Sequence, residues 1–196
     1  MKKSWIIIAV VVVLGFILYS SFKGSYNEMV TESEKVDAQW AQVENVYQRR
    51  ADLIPNLVNT VKGYAGHEKE TLEGVIEARA KATQTNINVG NMTPQKMAAF
   101  QQAQDGLSSA LSKLMVVVEK YPDLKANRNF LELQAQLEGT ENRIAVERKK
   151  FNETTRTYNT LIKNFPKNLM AGLFGFEPKP YFAAQQGTEI APEVKF

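Results

Sequence analysis

Hydrophobic residues between positions 36 and 65 recur at alternating steps of four and three, the spacing of one face of a helix in a bundle. The series consists of Val36, Trp40, Val43, Tyr47, Ala51, Ile54, Val58, Val61 and Ala65. Pro55 falls inside it and removes one backbone hydrogen bond, which ordinarily favours a break. Because the series keeps its phase across Pro55, we predict one long helix kinked there, with a break at 52–55 as the alternative.

Two further helices follow from the same pattern. Gly63 and Gly66 loosen the chain before a second helix predicted from His67 to Thr85. The turn formers of 86–93 come next, and Thr93 followed by Pro94 provides an N-cap and a first-turn proline for a third helix. The face of this third helix continues the four-three spacing through Met97, Phe100, Gln104, Leu107, Leu111, Leu114, Val118 and Tyr121.

A fourth helix is predicted from Leu124 to Phe165, between Pro122 and Pro166. β-Branched residues at period two are absent outside the N-terminal apolar run, so strands have no support. The predicted fold class is therefore all-α: an N-terminal transmembrane helix followed by an up-and-down four-helix bundle with long first and last helices.

The N-terminal run from Trp5 to Phe22 contains no charged residue, and ~18 apolar residues at 1.5 Å each come close to the ~30 Å hydrocarbon thickness of a bilayer. Lysines bracket the run, and Trp5 and Tyr19 lie near its ends, where aromatic rings favour the interface. A cleaved signal peptide is the alternative, but bulky Tyr19 and Phe22 fit a cleavage site poorly. We predict an anchor at 1–23, a bundle domain at 24–166 and a C-terminal tail at 167–196.

The predicted helices differ in length, with the first and fourth ~60 Å long and the second and third ~30 and ~40 Å. If the helices alternate in direction, the first and fourth form a two-helix stalk beyond the shorter pair, and the C-terminus returns toward the membrane. An apolar stripe on an uncovered stalk requires a partner, so we expect a homo-oligomer or docking at this place.

The amino-acid composition argues against several classes of function. The chain has no cysteine, and its net charge of +3 comes from acidic and basic residues interleaved along the helices, so we expect no nucleic-acid binding. His67 is the single histidine and lacks the second histidine of a zinc-protease helix, so no metal site or cofactor is predicted. Without an activated nucleophile, we expect a protein that is not an enzyme.

A dense polar cluster lies beside the first helical face, formed by Arg49, Arg50, Asp52 and Asn56. One interpretation is an internal charge-paired network that fixes the register of long helices. Its expected partners on the fourth helix are Glu141, Asn142 and Arg148. The other interpretation is a binding site for a partner.

The tail carries a short apolar segment, made of Leu169, Met170, Leu173, Phe174 and Phe176. Its simplest role is to cap the end of the bundle. Because alternating helices place it on the membrane side, a patch in the lipid interface or on a membrane partner is the second hypothesis. Residues 183–196 are predicted to be a mobile tail.

With these residues in view, the sequence resembles the LemA family of bacterial membrane proteins over nearly its whole length. The resemblance lies in YNEMV at 26–30, QRRADLIPNLV at 48–58, VKGYAGHE at 61–68, EARAKA at 77–82, YPDLKAN at 121–127, ENRI at 141–144, FN at 151–152, YN at 158–159 and FP at 165–166. It implies an N-terminal anchor, an up-and-down four-helix bundle, no catalytic residues, and association with HtpX-like zinc membrane proteases at the cell envelope.

The expected function is a membrane-tethered adaptor or scaffold that binds itself and a membrane protein. The alternative is a lipid-binding or envelope-sensing module that uses the tail. We expect a single-pass protein of the bacterial inner (cytoplasmic) membrane. Lys2 and Lys3 before the span favour a cytoplasmic N-terminus and an extracytoplasmic bundle, whereas the family resemblance places the short N-terminus outside.

Overall fold

The computed structural model describes residues 2–85, 87, 90 and 92–183, without the side chains of 2–4 and 18. In that part of the chain all regular structure is helical, which confirms the all-α fold class. The helices are α1 (Lys2–Tyr64), α2 (Lys69–Gln84), α3 (Pro94–Val118), α4 (Pro122–Lys125), α5 (Arg128–Lys163) and α6 (Lys167–Phe174).

The first helix, α1, is continuous from the apolar run into the bundle. Its 63 residues include every position from Trp5 to Phe22, where all described side chains are exposed. This stretch is long and apolar enough to cross a membrane. Burial begins at Met29 and follows the predicted face to Val61. One helix therefore contains both the exposed apolar stretch and a buried core helix of the bundle.

Pro55 lies within α1, as the unbroken phase of the apolar face predicts. Its missing N–H leaves the carbonyl of Ala51, four residues earlier, without the usual helical donor. Arg79 of α2 donates from Nε to that carbonyl oxygen at 2.7 Å. A side chain from the neighbouring helix thus replaces the hydrogen bond that proline removes.

The observed helix ends refine the prediction. The Thr93 hydroxyl accepts from the backbone N–H of Lys96 at 3.3 Å, which confirms the cap of α3. The second helix begins at Lys69 rather than His67. The predicted bounds of the fourth helix, Leu124 and Phe165, were wrong at both ends. Residues 122–125 form the separate short helix α4, the Asn127 side chain caps α5, and α5 ends at Lys163.

Successive long helices pack in alternating directions. Asn127 at the start of α5 donates to the Tyr64 hydroxyl at the end of α1, at 2.9 Å, so these two helices are antiparallel. The Tyr121 hydroxyl, just after α3, donates at 3.2 Å to Glu68, just before α2. The core divides into a cluster around Trp40, at the end of the bundle next to the apolar run and here called membrane-proximal, and a cluster around Leu107, at the opposite end and here called membrane-distal.

The predicted uncovered stalk is wrong. The C-terminal part of the chain lies against the membrane-proximal parts of α1 and α5, where it buries Met170, Ala171 and Phe182. Gly175 adopts a left-handed conformation, with φ of 74°, and Phe176 N–H donates to the Ala171 carbonyl at 2.9 Å to end α6. Residues 176–183, here called the C-terminal strap, then run without helical structure along the bundle.

Candidate functional site

Three features bring polar or exposed apolar side chains together: a polar layer inside the bundle, the groove that holds the C-terminal strap, and an apolar patch on α6. The polar layer comprises Arg50, Gln104, Ser108 and Glu141. Arg50 is 1% exposed, and its guanidinium lies among three helices.

Arg50 uses both terminal nitrogens. Its Nη1 donates to the Glu141 carboxylate at 2.5 Å and to the Ser108 hydroxyl at 2.9 Å. Its Nη2 donates to the side-chain oxygen of Gln104 at 2.6 Å. The Gln104 amide donates in turn to the Ala82 carbonyl at 3.2 Å. One network therefore links α1, α2, α3 and α5 at a single level.

This polar layer separates the two apolar clusters of the core. Tyr47 and Phe100 belong to the membrane-proximal cluster, and Ile54 and Leu107 to the membrane-distal one. On α1, Arg50 lies between Tyr47 of one cluster and Ile54 of the other. A buried cation with fixed partners at one level penalises any sliding of the helices, because sliding leaves the charge unpaired.

Only part of the predicted polar cluster joins this layer. Arg49, Asp52, Asn56 and Asn142 are exposed, and Asp52 accepts from Gln48 on its own helix at 2.7 Å. The structure brings together Arg50 and Glu141 from the predicted set. Gln104 and Ser108 were missed as network members, although Gln104 falls on the predicted apolar face of its helix, where a polar residue signals a buried partner.

Tyr47 borders the polar layer on its membrane-proximal side. Burial raises the pKa of the Tyr47 phenol, and the positive charges of Arg148 and Arg50 offset part of this rise. The Arg50 guanidinium carbon lies 5.2 Å from the centre of the Tyr47 ring. Among the described residues, no group of three or more histidine, aspartate or glutamate side chains could hold a metal ion.

The groove binds the C-terminal strap through its backbone. Asn159 of α5 donates to the Lys179 carbonyl at 2.8 Å and accepts from the Lys179 N–H at 2.9 Å. Asn152, two turns earlier, makes the same pair with Phe182, at 3.1 and 2.9 Å. Gln101 of α3 does so with Ala183, at 3.2 and 3.3 Å. Three side-chain amides thus satisfy both polar backbone groups of three strap residues.

Phe182 is the apolar anchor of the strap. Its ring is 5% exposed and packs among three aromatic side chains, here called the aromatic box: Trp40, Phe100 and Phe151. Phe182 stacks on Trp40, with ring centres 5.8 Å apart, and meets Phe151 edge to face at 5.5 Å. Arg148 covers the outer side, with its guanidinium carbon 4.7 Å from the centre of the Phe182 ring.

Lys179 is the polar anchor of the strap. Its ammonium forms an ion pair with Asp37 of α1 and lies 5.5 Å from the centre of the Tyr158 ring. The Tyr158 hydroxyl donates to the Glu177 carbonyl at 3.1 Å. Burial raises the pKa of the Tyr158 phenol, and the Asp37 charge adds to the rise.

Arg148 was expected in the network with Arg50. The structure instead assigns it to the C-terminal strap, because its Nη2 donates to the Ala183 carbonyl at 3.0 Å. Ala183 was predicted to begin a mobile tail, and this bond together with the Gln101 pair corrects that boundary. The rest of that predicted tail lies outside the described residues.

The apolar segment of the tail divides into two sets. Met170 is buried and Phe176 is half-buried against the membrane-proximal cluster. The others are exposed and, with Phe165, form what is here called the α6 patch: Phe165, Leu169, Leu173 and Phe174. Phe165 was expected in the fourth helix but lies beyond its end.

The α6 patch is held next to the beginning of the bundle. Phe174 meets Tyr26 edge to face, with ring centres 5.0 Å apart, and Lys167 pairs with Glu28 at 2.7 Å. Tyr26 follows the last residue of the apolar run, Phe22, by four residues, or about 6 Å along the helix. The α6 patch therefore lies near the end of the stretch that is able to span a membrane.

Comparisons with known proteins agree on one family. The LemA family model matches residues 39–196. The chain is 29% identical over 193 residues to magnetosome protein MamQ 2 of Paramagnetospirillum magneticum, and the alignment covers 90% of this chain and 70% of that protein. It is 24% identical over 170 residues to protein LemA of Metamycoplasma hominis, with 87% and 74% covered.

Proposed function

The chain belongs to the LemA family, and from this premise we propose that it is a membrane-anchored, non-enzymatic scaffold. On this proposal, α1 anchors the bundle to the bilayer, and the bundle binds other membrane proteins next to the lipid. The observation that carries the proposal is the continuity of α1 from an exposed apolar stretch into a buried core helix. Because α1 is unbroken, it fixes the distance of each bundle surface from the apolar stretch and the orientation of the bundle relative to that stretch.

The α6 patch is the surface that we assign to docking or to lipid. Leu169 and Leu173 are 65% and 74% exposed, lie one helical turn apart, and so present a common apolar edge. Exposed large apolar residues at the level of a bilayer surface favour the interface or a membrane partner. A lipid-binding or envelope-sensing module is the alternative function, and the same patch supports it.

The partner class that we propose is a membrane protease of the HtpX-like type, together with a second copy of this chain. The protease follows from the family resemblance. We place the span in the bacterial inner membrane, with the bundle on the extracytoplasmic side, as the two lysines before the apolar run favour. The polar layer, on this proposal, stabilises the bundle and does not bind a partner.

Affinity capture from gently solubilised membranes tests the scaffold. The double substitution Leu169→Ser and Leu173→Ser removes the exposed edge, and Val116→Ser, at a position 67% exposed on α3, is the matched control. We expect the unmodified chain and the control to retain a membrane protease in stoichiometric amount, and the double variant to lose it. Capture of lipid alone would favour the module instead, and recovery of the intact chain in the soluble fraction would contradict the anchor.

A further inference from the structure

The C-terminal strap is bound as a ligand is bound. Its partners Asn152, Asn159 and Gln101 are 20 to 82 residues away in sequence, and Asp37 is 142 residues away. The groove recognises three backbone units, one ammonium and one aromatic ring. These features define an extended peptide with a lysine three residues before a phenylalanine.

We propose that the groove accepts the C-terminal strap of a second copy, so that two chains exchange residues 176–183 reciprocally. The inference rests on the proposed scaffold function and names the segment through which the scaffold binds itself. Each contact of the strap with a helix would be re-formed between chains, because none of the hydrogen bonds described above depends on the strap and groove being neighbours in sequence. Exchange of an identical element is a low-cost route to a dimer.

Exchange keeps both grooves filled, which simple release does not. Without Phe182, the box residues Trp40, Phe100 and Phe151 lose a ring that contacts all three. Exposing aromatic surface to water is unfavourable. A second strap of identical sequence removes this cost in full, so the favoured occupant of a vacated groove is another copy of the chain.

In two anchored chains, the two grooves lie at the same distance from the membrane. Trp40 follows Phe22 by 18 residues in the continuous α1, so the box lies about 27 Å beyond the end of the apolar run in every copy. Confinement to one bilayer turns the second binding event into a local one and raises the effective concentration of straps.

The strap is extended and begins at a joint that can redirect it. Six residue steps from Phe176 to Phe182 extend about 20 Å, close to the roughly 21 Å along α1 from Tyr26 to Trp40 that they accompany. The strap leaves α6 at Gly175, a residue without a side chain at φ of 74°. A change of backbone direction at this glycine leaves α6 on its own chain and redirects the strap.

Thiol cross-linking between co-reconstituted chains tests the exchange, since the sequence contains no cysteine. One full-length copy carries Gln101→Cys and the other Ala183→Cys, at positions in hydrogen-bond contact, and a short bismaleimide bridges them. The matched control replaces Gln101→Cys by Ser109→Cys, which lies on the same helix and is exposed. Circular dichroism and melting of each variant verify that it is folded.

We expect a cross-linked heterodimer at a yield at least about tenfold above the Ser109→Cys control, because the effective concentration at the groove is local. Cross-linking only when both cysteines are in one chain would overturn exchange. Native mass spectrometry of the same vesicles separates the two proposals: dimers without the inter-chain cross-link refute exchange but keep self-association, and monomers refute both.

A peptide experiment provides a readout that does not depend on cysteine. The full chain with Trp5→Phe and Phe182→Ala keeps Trp40 as its one tryptophan and has a weakened strap. A synthetic peptide of residues 176–183 should then change the Trp40 emission in a saturable way, and the same peptide with Phe182→Ala should not. Absence of any peptide-dependent change would also overturn the proposal.

Discussion

Arg79 donates a hydrogen bond to the Ala51 carbonyl oxygen, which is the acceptor that Pro55 leaves without a helical donor. The interaction joins α2 to α1 at the place where the long helix is weakest. It explains how a proline occurs inside the helix that connects the apolar run to the bundle. An unsatisfied, partly buried carbonyl costs about 1–3 kcal/mol, so this contact matters to the stability of the bundle.

A double-mutant cycle measures that contribution. Arg79→Ala should lower the free energy of unfolding by about 1 kcal/mol or more when Pro55 is present, since the Ala51 carbonyl then has no donor. In a Pro55→Ala background the backbone N–H is restored, and the same substitution should cost distinctly less. Chemical denaturation of the four proteins gives a coupling energy of about 1 kcal/mol, and strict additivity would show that the two residues act independently.

The buried guanidinium of Arg50 should dominate the polar layer. Arg50→Met removes the hydrogen bonds to Glu141, Ser108 and Gln104, and should lower the free energy of unfolding by about 2–4 kcal/mol. Arg49→Met changes the exposed neighbour and should stay within about 0.5 kcal/mol.

Glu141→Gln distinguishes charge pairing from hydrogen bonding in the same layer. The Glu141 side chain is 45% exposed, so solvent screens the pair and the loss should be smaller than that of Arg50→Met, at about 1 kcal/mol. Urea unfolding measures both variants. A larger loss from Glu141→Gln than from Arg50→Met would contradict the assignment of Arg50 as the residue that holds the layer together.

The helices followed from the sequence because each long helix buries one continuous face. Steps of four and three identified that face in α1 and α3, and the cap at Thr93 was readable from its residue type. Arg50 also falls on the buried face, three residues after Tyr47 and four before Ile54, whereas Arg49 does not. That spacing distinguishes the buried arginine from its exposed neighbour.

The C-terminal strap could not be predicted in the same way. It has no periodicity, and its hydrogen bonds run to side chains far away in sequence, so local pattern carries no information about its place. One indirect signal exists on α5. Asn152, Thr155 and Asn159 form a second stripe beside the apolar one, with steps of three and four, and all three are buried or half-buried. Asn152 and Asn159 of this stripe bind the backbone of the strap.

Phe182 should contribute strongly to the stability of the bundle. Phe182→Ala empties the aromatic box and should cost about 3 kcal/mol, as for other large-to-small substitutions of buried aromatic residues. Tyr181→Ala, at the adjacent position that is 45% exposed, should cost at most about 0.5 kcal/mol. Thermal unfolding in detergent compares them, and equal melting temperatures for the two variants would refute the role of Phe182 as an anchor.

Alkaline pH should destabilise the bundle partly through Tyr47. Burial raises the pKa of its phenol above the ordinary value of 10.0, so the folded chain holds the proton more tightly than the unfolded chain does. The stability from this group is fully present below pH 10 and is lost as the pH rises through the higher pKa of the folded state. Tyr47→Phe should therefore show a shallower loss of stability above pH 10, and identical slopes would contradict the assignment.

The central claim is that α1 and α6 together hold the bundle at the bilayer surface, and depth-dependent fluorescence quenching tests it most directly. Two full-length variants in liposomes each carry an environment-sensitive dye on a single cysteine. One is Leu173→Cys, and the other is Tyr64→Cys at the membrane-distal end of the bundle. The account predicts that lipid-attached quenchers reach the dye at 173 and that aqueous iodide reaches the dye at 64. Equal iodide accessibility at both positions, with no lipid quenching at 173, would contradict it.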